Sequence, residues 1–280
     1  LPVKFIITVL AQLMIEREQA WVDFNELRNE VGSQVKAFSS MLRSQIDFTY
    51  TAINGAVGFP KTSADFSRMP RLRKMSKNRR NEKCQELEIV SKNRFIDQFV
   101  GRELNSDGDR RVAGAVFEMG LMTAGSVDED SELQVTLSKH GREFVSLDYT
   151  ETAAVQNPVF NQLCGIDKLG TPIKSIFSES EADFILAKII PKFELEDIVF
   201  KKFLSLSEKA SVKEITKIFL ETQKQHLQKK YPQQYEQELI KHLEKNGLAR
   251  ATTIMTRLVE LGKIKKIRHG LSIFYIANDF

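Results

Sequence analysis

One segment near the C-terminal end restricts the folds open to this chain more than any other. From Ala249 to Leu261 the apolar residues Ile254, Leu258 and Leu261 recur at helical spacing, and Gly262 follows as a stop. Lys263 to Arg268 and Leu271 to Ala277 then predict two short strands around the tight turn His269-Gly270. Helix, glycine, strand, turn and strand succeed one another with nothing between them.

The stretch leading up to this pattern is helical. Leu195 to Leu206 carries Ile198, Val199, Phe203 and Leu204, and Ser211 to Leu220 turns Val212, Ile215, Ile218 and Phe219 inward. Beyond a stretch rich in glutamine and lysine, Pro232 opens a longer helix through Leu239, Ile240 and Leu243, which Asn246-Gly247 is expected to stop. Upstream, Ser178 with Glu181 forms a capping box before Phe184, Ile185, Ile189 and Ile190, and Pro191 ends or kinks that helix. The breakers Asn157-Pro158, Gly165, Gly170 and Thr171-Pro172 predict a linker. The expected organisation is therefore an N-terminal domain over 1–150, a linker over 151–177 and a C-terminal domain over 178–280.

Residues Glu194 to Ala277 resemble the winged-helix superfamily, with Arg257-Leu-Val-Glu-Leu-Gly-Lys-Ile264 standing where its recognition helix enters the first wing strand. The resemblance implies that the last helix sits in the DNA major groove and that the hairpin is the wing. An insertion, Thr222 to Asn246, makes this segment longer than a minimal member. A weaker echo lies upstream. Arg111-Val-Ala-Gly-Ala-Val-Phe-Glu-Met-Gly-Leu-Met122 aligns by role with Thr253 to Ile264, and Val135 to Phe144 resembles the wing strand and following helix of bacterial and archaeal winged-helix regulators. The expected fold class is mainly α with small β-hairpin wings, built as tandem winged-helix-type domains.

In the N-terminal half, Phe5, Ile6, Val9, Leu10, Leu13 and Met14 mark a helix over Pro2 to Glu16. A short helix from Asp23 to Val31, stopped by Gly32, precedes a third that Ser33 opens, with Val35, Phe38, Met41, Leu42 and Ile46 inward. Phe48 to Phe59 reads as a hairpin around Asn54-Gly55, or as a helix ending at Asn54. Pro60 to Met75 looks irregular. Leu87 to Leu104 reads as one or two amphipathic helices, Ser106 to Asp109 as a turn and Arg110 to Gly120 as a helix. Strands Leu121 to Ser126 and Leu133 to Leu137 follow, and Ser138 caps a last helix carrying Phe144 and Leu147.

Charge divides the chain unevenly: 19 Lys and Arg against 14 Asp and Glu over 1–111, 6 against 15 over 112–200, and 16 against 8 over 201–280. Two basic ends around an acidic middle suit an anion-binding surface at each end. Within 68–83, Arg68, Arg71, Arg73, Lys74, Lys77, Arg79, Arg80 and Lys83 are answered only by Glu82. That run reads as an exposed loop or arm along phosphates, or else as a solvated charge run or a partner for the acidic middle. At the C-terminal end, Arg250, Thr252, Thr253, Thr256 and Arg257 are the side chains that reach bases or phosphates, and Lys263, Lys265, Lys266, Arg268 and His269 arm the wing. By contrast Asp128, Glu129, Asp130 and Glu132 make the upstream wing acidic, which suits a protein rather than a phosphate.

Other classes lack support. Cys84 and Cys164 stand alone, and His140, His226, His242 and His269 are scattered, so neither a disulfide framework nor a metal site is expected. Phosphate-binding glycine loops and nucleophile elbows are absent, so no enzyme and no cofactor is expected. The longest early apolar stretch, Phe5 to Ile15, is broken by Thr8 and Gln12 and is too short to span a bilayer, and no cleavage site follows it. The chain opens at Leu1 rather than a methionine, so an upstream segment is allowed for. The functional expectation is a cytoplasmic transcriptional regulator that binds double-stranded DNA. It would work as a homodimer or with a protein partner through the acidic middle. The alternative is a protein-docking scaffold without direct DNA readout.

Overall fold

The computed structural model describes residues 2–45, 59–106, 109–125, 132–147, 179–205, 209–230, 237–270 and 272–277. It is predominantly helical with small antiparallel sheets, and divides into two compact units, Leu1–Lys174 and Ser175–Phe280. The hairpin or helix expected over Phe48 to Phe59 falls almost wholly outside the described residues, as does the linker over 151–177.

In the first unit α1 (Pro2–Glu16) is the central element. Phe5, Ile6, Ile7, Val9 and Leu10 are all fully buried, so the helix is enclosed on most of its circumference and not along one stripe. Five phenylalanines bind the elements around it. Phe5 stacks on Phe38 at 5.0 Å, Phe38 lies 5.0 Å from Phe59, Phe59 stacks on Phe95 at 5.4 Å, and Phe95 meets Phe99 at 5.1 Å. Phe38 belongs to α2 (Phe24–Gln45), which runs straight through the stop expected at Gly32. A Cβ at Gly32 would lie 3.2 Å from Ile96 Cδ1, so this glycine gives a neighbouring side chain room and does not end the helix.

The basic stretch is also more ordered than expected. Residues 68–83 are mostly helical: α3 (Ser63–Ser67) and α4 (Pro70–Arg73) fold against α5 (Lys77–Phe95), which a wider turn extends over Ile96–Val100. A small core of Phe66, Leu72 and Cys84, with Met69, Met75 and Leu87 around it, holds the three helices together. Burying Leu72 between two exposed arginines fixes the chain that the sequence alone leaves irregular.

Arg110 to Gly120 is not a helix. Strands β2 (Arg102–Ser106) and β3 (Asp109–Ala113) pair antiparallel, Arg102 opposite Ala113 and Ser106 opposite Asp109, and only α6 (Ala115–Glu118) remains helical. The reason is a close backbone approach: a Cβ at Gly114 would stand 2.5 Å from Gly101 Cα and 2.7 Å from the Val100 carbonyl. Strands β1 (Val22–Asp23), β4 (Met122–Gly125) and β5 (Gln134–Leu137) then form a sheet in the order β1-β5-β4. Ser138 caps α7 (Lys139–Ser146), its hydroxyl accepting from the Gly141 amide at 3.0 Å and donating to the Gly120 carbonyl at 2.7 Å.

The second unit opens with α8 (Glu179–Phe184), which continues through a wider turn over Ile185–Ile189 and a tighter one over Ile190–Lys192, where Pro191 bends it. Next come α9 (Glu194–Leu204), β6 (Ala210–Ser211), α10 (Val212–Lys230), α11 (Gln237–Glu260), β7 (Ile264–His269) and β8 (Ser272–Ala277). Val199, Phe200, Phe203, Ile215, Phe219, Ile254, Met255, Leu258, Ile264 and Tyr275 make its core. The stop expected at Asn246-Gly247 is absent, and α11 is continuous through it. A Cβ at Gly247 would lie 2.6 Å from Leu220 Cδ2, so this glycine lets α10 and α11 approach. The sheet order is β6-β8-β7. Each unit therefore has a short strand that leads into a helix and pairs with the second strand of a later hairpin.

Candidate nucleic-acid interface

Helical periodicity places Arg250, Thr253 and Arg257 on one exposed face of α11, while Ala251, Ile254, Met255 and Leu258 are buried on the other. The threonine hydroxyls turn back into the helix. Thr252 donates to the Leu248 carbonyl at 2.7 Å, Thr253 to Ala249 at 2.9 Å and Thr256 to Thr252 at 2.9 Å. Each has spent its one proton, so toward a ligand these hydroxyls accept, which suits a base amino group better than a phosphate oxygen. No carboxylate among the described residues pairs with Arg250. Arg257 donates from Nη1 to Glu196 of α9; the arginine side chain is 52% exposed and the glutamate 13%.

On the hairpin, Lys265 and Lys266 are exposed along β7, opposite Ile276 and Tyr275. Burial raises the Tyr275 hydroxyl above its ordinary value, keeping it neutral beside these cations. Arg268 follows at the position opposite Ile273. His269 is exposed and meets the Phe274 ring edge-on at 6.0 Å. Lys263 is placed differently. Its Nζ lies 2.7 Å from Asp183 Oδ1 with the side chain only 11% exposed, so it ties the root of the hairpin to α8.

Three residues of this surface were not anticipated: Glu196, Asp183 and Lys209, whose Nζ stands 5.3 Å over the Phe274 ring. The two ion pairs join residues 61 and 80 positions apart, a separation at which sequence periodicity carries no signal.

In the first unit, Arg71 and Arg73 are exposed on α4 and Arg79 on the opening turn of α5, with Arg80 half-buried beside it. That opening turn contains no acidic residue. Cations at a helix N-terminus add to the positive end of its dipole, so the field there favours an anion. Arg110 and Arg111, expected to open a helix, lie on β3. Of the acidic residues expected between β4 and β5, Asp128, Glu129 and Asp130 are outside the described residues, and Glu132 is exposed. Cys84 is a buried free thiol.

Among the described residues no group of three or more His, Cys, Asp or Glu could hold a metal ion, and no helix is long and apolar enough to cross a membrane. Comparison with protein-family models, curated proteins and solved structures finds no match to this chain.

Proposed function

We propose that this chain is a cytoplasmic regulator of transcription that binds double-stranded DNA through a winged helix in its second unit. It catalyses no reaction and needs no cofactor. One observation carries the reading: α11 presents Arg250, Thr253 and Arg257 on a single exposed face and ends at Gly262 directly before a hairpin that exposes Lys265 and Lys266. A helix of this width fits the major groove, and a basic hairpin beside it reaches the flanking backbone. The matching strand orders support a tandem arrangement, in which the first unit keeps the wing but has its reading helix cut to α6. That unit would then contribute phosphate contacts from Arg71, Arg73, Arg79 and Arg80.

The test is a salt titration of the full chain on random-sequence duplex DNA. The expected result is a steep negative slope of log affinity on log salt, since each neutralised phosphate releases counterions. Absence of binding at low salt would sink the reading. It would favour a protein-docking scaffold instead, for which the engagement of Arg257 and Lys263 by carboxylates of the same unit is the supporting observation.

A further inference from the structure

We infer that Glu196 sets the sequence discrimination of the α11 surface by holding the Arg257 guanidinium in one orientation; this rests on the DNA-binding reading above. The first turn of α9 carries three carboxylates, Glu194, Glu196 and Asp197. Asp197 lies 2.6 Å from Lys201 one turn on, and Glu194 lies 3.7 Å from His226 Nδ1 on α10. Glu196 reaches across to α11 and, at 13% exposure, is the most buried of the three carboxylates.

The asymmetry of exposure matters. The carboxylate is largely covered while the guanidinium is half open, so Glu196 is the fixed anchor and Arg257 the group presented outward. A guanidinium has five donors in a rigid fork. With Nη1 held by Glu196, the remaining donors point from one place, as bidentate contact with a guanine edge requires. Stability does not account for the pair, because an ion pair open to solvent on one side contributes only about 0–1 kcal/mol. The negative charge also offsets Arg257 toward any phosphate, which suppresses binding that ignores sequence. Glu196 is thus a positioning residue, acting on DNA through Arg257.

The experiment selects a preferred duplex from a pool with a randomised centre, using the unaltered full chain. Affinities of the unaltered chain, Glu196→Gln and Arg257→Lys are then measured on that duplex and on a scrambled one across a salt series. Glu196→Gln should tighten scrambled-duplex binding severalfold, narrow the preference by about tenfold, and steepen the salt slope by about one unit as the freed Arg257 takes a phosphate. Arg257→Lys, which retains the charge without the fork, should lose discrimination with little change in slope. A preference and slope unchanged in Glu196→Gln, while the unaltered chain binds, would overturn the role of Glu196 alone. Failure of the unaltered chain to bind any duplex at low salt would overturn the DNA reading and this inference with it.

Discussion

Gly120 and Gly262 occupy equivalent positions in the two units. Both have left-handed backbones, φ 66° and 69°, and both end a helix directly before the first strand of a hairpin. The residue after each donates to a carbonyl five positions back, Leu121 to Val116 and Lys263 to Leu258, both at 3.0 Å and both onto fully buried residues. The turn that launches each hairpin is thus built the same way, although one follows a single helical turn and the other a helix of 24 residues.

From this geometry, Gly120→Ala and Gly262→Ala should each cost about 1–2 kcal/mol, the penalty of a left-handed backbone for a residue with a Cβ. Denaturant unfolding checks it. Trp21, whose ring lies against Gly125, reports on the first variant by fluorescence, and far-ultraviolet dichroism reports on the second.

Other glycines separate by what a methyl group would strike. Gly114→Ala would drive Cβ into the Gly101 and Val100 backbone, which cannot swing aside, and should cost about 3 kcal/mol, the upper end for overpacking. Gly32→Ala meets only the tip of Ile96, and the gain of about 1 kcal/mol in helix propensity should leave it near neutral. Thermal unfolding of the two variants in parallel tests the contrast.

The lysines of the β7–β8 hairpin and its root should divide by their partners. Lys265→Ala and Lys266→Ala should each weaken binding on every duplex and reduce the salt slope by about one unit. Lys263→Ala, which breaks the contact to Asp183, should lower stability and leave the slope nearly unchanged. Equal slope changes in all three would show that the Asp183 pair opens when DNA binds.

Acid should loosen the first unit through Glu88. Burial alone would raise this carboxyl, but hydrogen bonds from Lys36 and from the Ser63 hydroxyl and amide, with the Lys36 charge, outweigh it and bring it below 4.5. A carboxyl lowered in the folded state adds stability above its unfolded value, and loses it as pH falls through the folded value. Glu88→Gln should therefore cost no more than about 1 kcal/mol near neutral pH, as expected for a pair still in touch with solvent, and nothing at the acid end. Unfolding midpoints measured from neutral pH downward should converge for the two proteins as pH falls through the lowered folded value; parallel curves would show that Glu88 is not the titrating group.

How much of this was legible beforehand depended on the range of the interaction. Helix α1, strands β4 and β5, the Ser138 cap and the helix, glycine and hairpin of the second unit all follow from spacing, capping and turn residues acting over a few positions. Gly32 and Gly247 misled for the opposite reason. A glycine that stops a helix and one that lets two helices touch look identical in sequence, and only the neighbour, Ile96 or Leu220, tells them apart. Arg110 to Gly120 shows helical spacing, yet the Gly101 and Gly114 contact draws it into a strand. In the candidate interface, cation positions were readable, while their partners Glu196 and Asp183 were not, because no local pattern records a contact made through the fold.

The strand order β6-β8-β7 leaves β7 at the margin of its sheet, with one row of backbone amides and carbonyls facing no strand among the described residues. Such a margin is a template on which another chain can add a strand, and lysines placed along it oppose that by charge and bulk. Lys265 and Lys266 would then serve even when no nucleic acid is near. Replacing both with apolar residues would expose an adhesive strand, and self-association at high concentration is the expected result.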